Sequence, residues 1–114
     1  MGQMNVFDVK ITRQAEKQIR EIAWYITVEL HNPEAAETLM DEFDKEFAAL
    51  GKNPERHPVV DDEPWKSDKV RWKKVKNFMV FFWVDIEHAA VQITGVMYKA
   101  HDHKRFLSEM EMTD

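Results

Sequence analysis

Apolar and polar positions in the second half of the chain divide it into three strand-length runs with two short breaks between them. The runs cover residues 69–77, 78–84 and 91–98, and the middle run is apolar at every position. A run that is apolar on both faces is typical of a central strand with cover above and below. The break at Lys76 and Asn77 suits a tight turn, because Asn tolerates left-handed backbone angles. The pattern therefore predicts a three-stranded antiparallel meander.

The first half of the chain predicts one short strand and two amphipathic helices. Residues 6–11 alternate loosely between polar and apolar side chains, as a strand does. From residue 13 to 31 the apolar residues recur at spacings of three and four, which indicates a helix, and the Thr12 hydroxyl can cap it. A second helix covers residues 33–52, with Asn32 as its cap. Helices this close in sequence form an antiparallel hairpin.

The order of the elements predicts an α+β fold in a single domain that spans residues 1–114. The order is strand, helix, helix, three strands and a short C-terminal helix over residues 103–110, which Asp102 caps. The helical hairpin is expected on one face of the sheet. If the hairpin returns the chain to the end of the first strand, the sheet is antiparallel throughout. Residues 1–5 and 109–114 are expected to fray.

Composition and charge exclude several classes of function. The 114 residues include no cysteine, which rules out disulfides and thiolate chemistry. No apolar run approaches the ~18 residues of a membrane span, and the N-terminus lacks the basic and apolar segments of a signal peptide. We therefore expect a cytoplasmic protein that contacts no membrane. The net charge of −5 gives the molecule as a whole no attraction to nucleic acid.

Positive charge is concentrated in the first strand of the meander. Residues 66–76 hold six lysines or arginines and one acid. In a regular strand Arg71 and Lys73 point to one face and Lys74 to the other. Three interpretations stay open: the lysines protect an edge strand from pairing with other chains, the strand binds an acidic protein segment, or it contacts a phosphate backbone. In the last case Trp72 could stack on a base.

The first helix carries more apolar surface than packing on one sheet face requires. Trp24, Tyr25 and Val28 widen its apolar stripe. Either the core is wide, or these side chains form a surface for a partner protein. Gly95, inside the last predicted strand, indicates a bulge or a place where another group approaches closely.

The sequence contains no nucleophile elbow, phosphate-binding loop, dinucleotide fingerprint or metalloprotease motif. The acidic cluster at residues 61–63 and the pair His101 and His103 resemble fragments of metal sites. Acidic loop tips are usually just solvated, and the two histidines have no cysteine or evident third ligand to join them. We therefore predict that the chain holds no structural metal and no cofactor.

Four segments in a fixed order carry a resemblance to a known family. They are residues 11–16 (ITRQAE), 53–58 (NPERHP), 75–85 (VKNFMVFFWVD) and 91–98 (VQITGVMY). Together they resemble the RelE/ParE superfamily of type II toxin–antitoxin toxins, over nearly the whole chain. The resemblance implies an α+β toxin that acts in the cytoplasm by growth inhibition, with a role such as plasmid stabilization. It also implies a small antitoxin whose helix and extended tail wrap around the toxin.

This superfamily contains two activities. RelE-like members cut mRNA in the ribosomal A site, and the residues here that match their basic set are Arg71, Lys73, Lys74, Lys99 and His101. ParE-like members lack that set and poison DNA gyrase. The chain departs from the expected pattern at Met79, where RelE-like members have an arginine, and at Gly95, where the superfamily often has one. Phe106, near the place of the RelE catalytic tyrosine, has no hydroxyl. These departures favour a ParE-like toxin over an mRNA interferase. A degenerate member that only binds a partner stays open, as does the question of whether the chain is an enzyme.

Under this resemblance, the wide apolar stripe and the basic strand are the expected antitoxin contacts. The residues concerned are Trp24, Tyr25 and Val28 on the helix, with Arg71 and Lys73 on the strand. The cellular target is expected to be DNA gyrase, with ribosome-bound mRNA as the alternative. Formation of a homodimer stays open.

Overall fold

The computed structural model describes residues 6–114, so the predicted fraying of residues 1–5 lies outside the described residues. Four strands form one sheet, and they are β1 (Asp8–Ile11), β2 (Arg71–Val75), β3 (Phe78–Asp85) and β4 (Ala90–Tyr98). Their order across the sheet is β1-β4-β3-β2. The α+β class is confirmed, and so is the antiparallel meander of β2, β3 and β4.

The first strand runs opposite to the predicted direction. β1 pairs with β4 in parallel, from Asp8 opposite Ala90 to Ile11 opposite Ile93. The expectation of a sheet that is antiparallel throughout is therefore wrong, and the sheet is mixed. The central position of β3, between β4 and β2, agrees with its apolar sequence.

The direction of helix α1 (Arg13–Trp24) explains this parallel pairing. The helix continues in the direction of β1, because Gln18 reaches further along β4 and accepts a hydrogen bond from the Val96 amide at 2.9 Å. Helix α2 (Pro33–Ala49) then brings the chain back to the start of β1, where the Phe7 amide donates to the carbonyl just after α2 at 2.8 Å. β2 therefore begins at the same end of the sheet as β1.

Both helices begin at the predicted caps. The Thr12 hydroxyl accepts from the Ala15 amide at 3.2 Å, and the Asn32 side chain accepts from the Ala35 amide at 3.1 Å. The first helix does not stay regular to its end, because the chain passes into one π-helical turn, Tyr25–Glu29. Such turns are rare and occur frequently at functional sites. In the part of the chain that the structure describes, no helix is long and apolar enough to cross a membrane.

The sheet is covered on both faces, which explains why β3 is apolar on both sides. On one face, here called the helix face, α1 and α2 bury a core of Ala15, Leu39, Phe43, Phe47, Leu50, Val75, Val80, Phe82, Val91, Ile93 and Val96. On the other face, here called the tail face, the second core consists of Val60, Val70, Phe81, Met97 and Leu107. A loop and the C-terminal segment cover this second core.

The C-terminal segment lies across the tail face. It contains helix α3 (His103–Ser108), which begins at the predicted cap, Asp102. Residues 109–114, for which the sequence predicted fraying, are hydrogen-bonded to the rest of the domain. The Trp83 indole, for example, donates to the Met112 carbonyl at 2.7 Å.

Gly95 combines the two roles that the sequence suggested. The register of β4 against β3 shifts after Phe81, which pairs with Gly95, and Thr94 is left as an extra residue. A Cβ at Gly95 would lie 2.6 Å from Cε1 of Phe106, so only glycine leaves room for that ring. The bulge also changes which backbone groups of β4 point outward.

Candidate functional site

The basic residues of β2 on the helix face are engaged inside the molecule. Nη1 of Arg71 donates to the carbonyls of Glu55, at 2.9 Å, and His57, at 2.6 Å. Lys73 forms an ion pair with Glu46 of α2, and this hydrogen bond is the main reason why the pKa of Glu46 is lowered. Arg71 therefore holds the loop at residues 55–57 against β2, and Lys73 holds α2 against it.

β2 is an edge strand, and a loop covers the first half of its outer edge. The Trp72 amide donates to the Pro58 carbonyl at 3.0 Å, and the Val60 amide donates to the Val70 carbonyl at 2.9 Å. Beyond this point the exposed Lys74 follows. A lysine on an open edge discourages pairing with other chains, which fits one of the three interpretations of the basic strand.

A cavity of about 400 Å³ opens on the tail face beside β2. Trp72, Lys74, Lys99 and His103 line it, together with Asp61 and Asp62 on its loop side. The Nζ atom of Lys104, next to this cavity, lies 3.9 Å from a carboxylate oxygen of Asp62. The cations here therefore face carboxylates of the same chain.

The structure distributes the predicted catalytic residues over three places. Arg71 and Lys73 lie on the helix face, while Lys74 and Lys99 line the cavity on the tail face. His101 lines a separate groove, where its ring packs edge-on against Tyr98 at a centroid distance of 5.9 Å. Within residues 6–114, no group of three or more metal-ligating side chains comes together.

His57 lies beside Arg71 and Lys73 of β2, and the sequence did not single it out because its surroundings come from distant segments. Its ring packs edge-on against Phe82 at 5.7 Å, and its buried Nε2 has no hydrogen-bond partner among residues 6–114. Burial lowers the pKa of His57, and the nearby cations Lys73, Arg56 and Arg71 lower it further. The neutral form is therefore the one that the fold accommodates.

The lowered pKa of His57 predicts a loss of stability in mild acid. Because the folded-state pKa lies below the ordinary value of 6.5, stability is fully present above that value and falls as the pH drops toward the folded-state pKa. We expect the melting temperature of the parent protein to decrease as the pH drops below about 6.5. The His57→Gln variant serves as the control and should give a flatter profile over the same range. Equal slopes for the two proteins would contradict the assignment.

A long apolar groove lies between α1 and the outer edge of β4. Its volume is about 810 Å³, and its apolar lining includes Ile22, Tyr25, Ile26, Leu30, Phe78 and Phe106. The Tyr25 side chain is 53% exposed although it points into this groove. Trp24 and Val28, which are 57% and 43% exposed, lie on the same helix but outside the groove lining. Apolar groups left open to water in this number are typical of an interaction surface.

Comparisons with known proteins agree with this fold. A chain of the chromosomal ParDE toxin–antitoxin system from P. aeruginosa superposes with a TM-score of 0.66 at 21% identity, over 82% of this chain and 97% of that one. A chain of the RelBE2 toxin–antitoxin complex from Mycobacterium tuberculosis superposes with a TM-score of 0.59 at 19% identity, over 89% of this chain and 100% of that one. At these identities the structural likeness supports the fold alone.

The sequence comparison is more specific. No curated protein matches the sequence. A family model, described as the ParE toxin of the type II toxin–antitoxin system parDE, matches residues 9–103. Because this match spans most of the chain, the protein belongs to the ParE toxin family of type II toxin–antitoxin systems.

Proposed function

We propose that this chain is the toxin of a type II toxin–antitoxin module and that it acts in the ParE manner, on DNA gyrase in the cytoplasm, without cutting RNA. Family membership supports the toxin role. The observation that supports the absence of RNA cleavage is the dispersal of the five candidate catalytic residues over both sheet faces and the groove.

RNA cleavage by a toxin of this superfamily requires a base for the 2′-hydroxyl and cations at the phosphate in one place. Here Arg71 is bonded to two backbone carbonyls and Lys73 is paired with Glu46. Lys74 and Lys99 share a cavity, but carboxylates of the 61–62 loop line the same space. A phosphate entering that cavity would meet negative charge as well as positive charge.

The position near which RelE-like members have a catalytic tyrosine also argues against cleavage. Phe106 has no hydroxyl, and its ring packs against Phe81 at a centroid distance of 5.6 Å and lies over Gly95. This side chain therefore contributes to the tail-face core and has no group that can transfer a proton.

A cognate antitoxin is the proposed partner, and the proposed contact surface is the apolar groove with the exposed side chains beside it. Tyr25, Trp24 and Val28 all remain exposed in the folded chain. Arg71 and Lys73, also expected as antitoxin contacts, have internal partners instead. An acidic antitoxin segment would have to compete with those partners. The apolar surface is therefore the main site in this proposal.

An mRNA interferase is the second candidate, and one observation favours it. The cavity on the tail face brings Lys74, Lys99 and His103 together with Trp72, which offers an aromatic surface for a base. Under this alternative, the catalytic centre uses only part of the predicted set.

Induced expression in bacteria separates the two candidates when DNA replication and translation are followed independently. We expect replication to stop first, purified gyrase to be inhibited by the toxin, and ribosome-bound mRNA to stay intact. Arg71→Ala should lower the free energy of unfolding by about 1–2 kcal/mol, because two hydrogen bonds are lost. It should leave gyrase inhibition by the folded protein unchanged.

Cleavage of A-site mRNA by the parent protein would contradict the proposal, especially if the double variant Lys74→Ala/Lys99→Ala abolishes it. That result would identify the chain as an interferase that uses the tail-face cavity. A protein with neither activity that still binds its antitoxin would be a degenerate member of the family.

A further inference from the structure

The outer edge of β4 is covered along its first half only. β1 pairs with β4 from Ala90 to Ile93, and the Thr12 amide makes the last hydrogen bond of that ladder, to the Ile93 carbonyl at 3.0 Å. After Thr12 the chain leaves the sheet as α1. Within residues 6–114, the second half of β4, up to Tyr98, therefore has no neighbouring strand on this side, and it forms one wall of the apolar groove.

The orientation of the backbone along this open edge follows from the hydrogen bonds at its end. The Lys99 amide donates inward, to the Asn77 carbonyl at 2.9 Å. Because successive residues of a strand point to opposite sides, the amide and carbonyl of Tyr98 point outward into the groove, and so do those of Val96. The hydrogen bond from the Val96 amide to Gln18 confirms this orientation.

Two of these four outward groups are already used. The Gln18 side chain accepts a hydrogen bond from the Val96 amide, and the His101 amide donates to the Tyr98 carbonyl at 3.0 Å. The Val96 carbonyl and the Tyr98 amide remain, and neither has a partner within residues 6–114. In a parallel pair, one residue of the added strand donates its amide to the carbonyl just before the opposite residue and accepts from the amide just after it. The Val96 carbonyl and the Tyr98 amide stand in these positions relative to Met97. A single residue of an added parallel strand can therefore bond to both groups.

From this geometry we propose that an extended segment of the antitoxin adds to the open edge of β4 as a parallel strand, in line with β1. Its central residue would donate to the Val96 carbonyl and accept from the Tyr98 amide, opposite Met97. The inference rests on the proposed function, because it specifies how the antitoxin occupies the groove. Strand addition of this kind uses backbone hydrogen bonds for affinity and side-chain pockets for specificity.

The groove also indicates the composition of the added segment. Side chains on its helix side would contact Ile22, Tyr25 and Ile26, so apolar residues are expected there. At the far end the groove reaches Asn77 and His101, and the exposed cation Lys76 precedes Asn77 there. The matching end of the segment is therefore acidic, and it continues the apolar surface around Tyr25 that the proposed function already assigns to the antitoxin.

Hydrogen exchange tests the predicted bond directly. The probe is the product of the reading frame that adjoins the toxin gene, bound to the full-length toxin. The Tyr98 amide should exchange quickly in the free toxin and about 100-fold more slowly in the complex. A through-bond NMR coupling between this amide and an antitoxin carbonyl would identify the acceptor.

Proline substitution provides the second test. Tyr98→Pro removes the side chain and the outward amide, whereas Tyr98→Ala removes the side chain only. We expect the proline variant to bind the antitoxin about tenfold more weakly than the alanine variant, because one backbone hydrogen bond is lost. Proline is tolerated where a strand amide faces outward, and matched melting curves check that both variants fold.

A matched pair at the opposite edge of the sheet is the control. The Lys74 amide points outward from β2, so Lys74→Pro and Lys74→Ala should bind the antitoxin equally well. Equal binding by the two Tyr98 variants, with no protection of that amide, would overturn the inference and leave the proposed function standing. Failure of the parent toxin to bind the adjoining gene product would overturn the proposed antitoxin partner, and the inference with it.

Discussion

Tyr25→Asp is expected to weaken antitoxin binding by about 2–4 kcal/mol, the range for the central residue of an interface. That corresponds to roughly 30- to 1,000-fold in affinity. Tyr25 begins the π-helical turn and points into the apolar groove with half of its surface exposed. A carboxylate there would have to lose its water when the partner fills the groove. Calorimetric titration of the toxin with the antitoxin measures the loss.

The control for this change is Ile86→Asp. Ile86 is 64% exposed and lies in the turn between β3 and β4, outside the groove. It should retain parental affinity, and both variants should melt near the parental temperature because neither side chain is buried. Full binding by the Tyr25 variant, or equal losses in both, would show that the groove is not the antitoxin site.

Gly95→Ala is expected to lower the free energy of unfolding by about 1–3 kcal/mol, the usual cost of overpacking a core. The added Cβ would lie 2.6 Å and 2.9 Å from two ring atoms of Phe106 and 3.0 Å from Sδ of Met110. The ring and the thioether would have to shift to make room, and both pack against the core of the tail face. Denaturant unfolding, with an unchanged slope against denaturant concentration, measures the effect.

A double-mutant cycle with Phe106→Ala provides the control for Gly95. If the ring causes the clash, the double variant should be more stable than the sum of the two single losses implies, by about 1 kcal/mol or more. Additive losses would show that the Phe106 ring is not the source of the cost. The same clash explains why an arginine at this position, expected from the superfamily resemblance, does not fit this chain unless Phe106 moves.

The sequence predicted those features of the fold that depend on nearby residues. Thr12, Asn32 and Asp102 were identified as caps because a cap acts within one helical turn. β3 was predicted as the central strand because a run that is apolar on both faces indicates that other elements pack against both sides of the sheet. The direction of β1 was predicted wrongly because it depends on where α1 goes, and a pattern within the helix carries no information about that.

The candidate site depends more strongly on tertiary contacts. The charges of Arg71 and Lys73 are visible in the sequence, but their partners, Glu46 and two loop carbonyls, lie 14 or more residues away. The width of the apolar stripe left either a wide core or a partner surface open at Tyr25, and its exposure in the folded chain favours the second. The open edge of β4 follows from a bulge and from the point where β1 ends, so residue types alone could not have indicated it.

Because Trp83 is hydrogen-bonded to the C-terminal segment, its fluorescence can report whether that segment is in place. The Trp83 indole is held by the Met112 carbonyl, whereas Trp24 is largely open to water beside the groove. Fluorescence from variants in which Trp83 or Trp24 is the only one of the four tryptophans that remains would therefore follow two separate events. The wavelength of maximum emission of Trp83 would change when the C-terminal segment leaves the tail face. That of Trp24 would change when a partner covers α1.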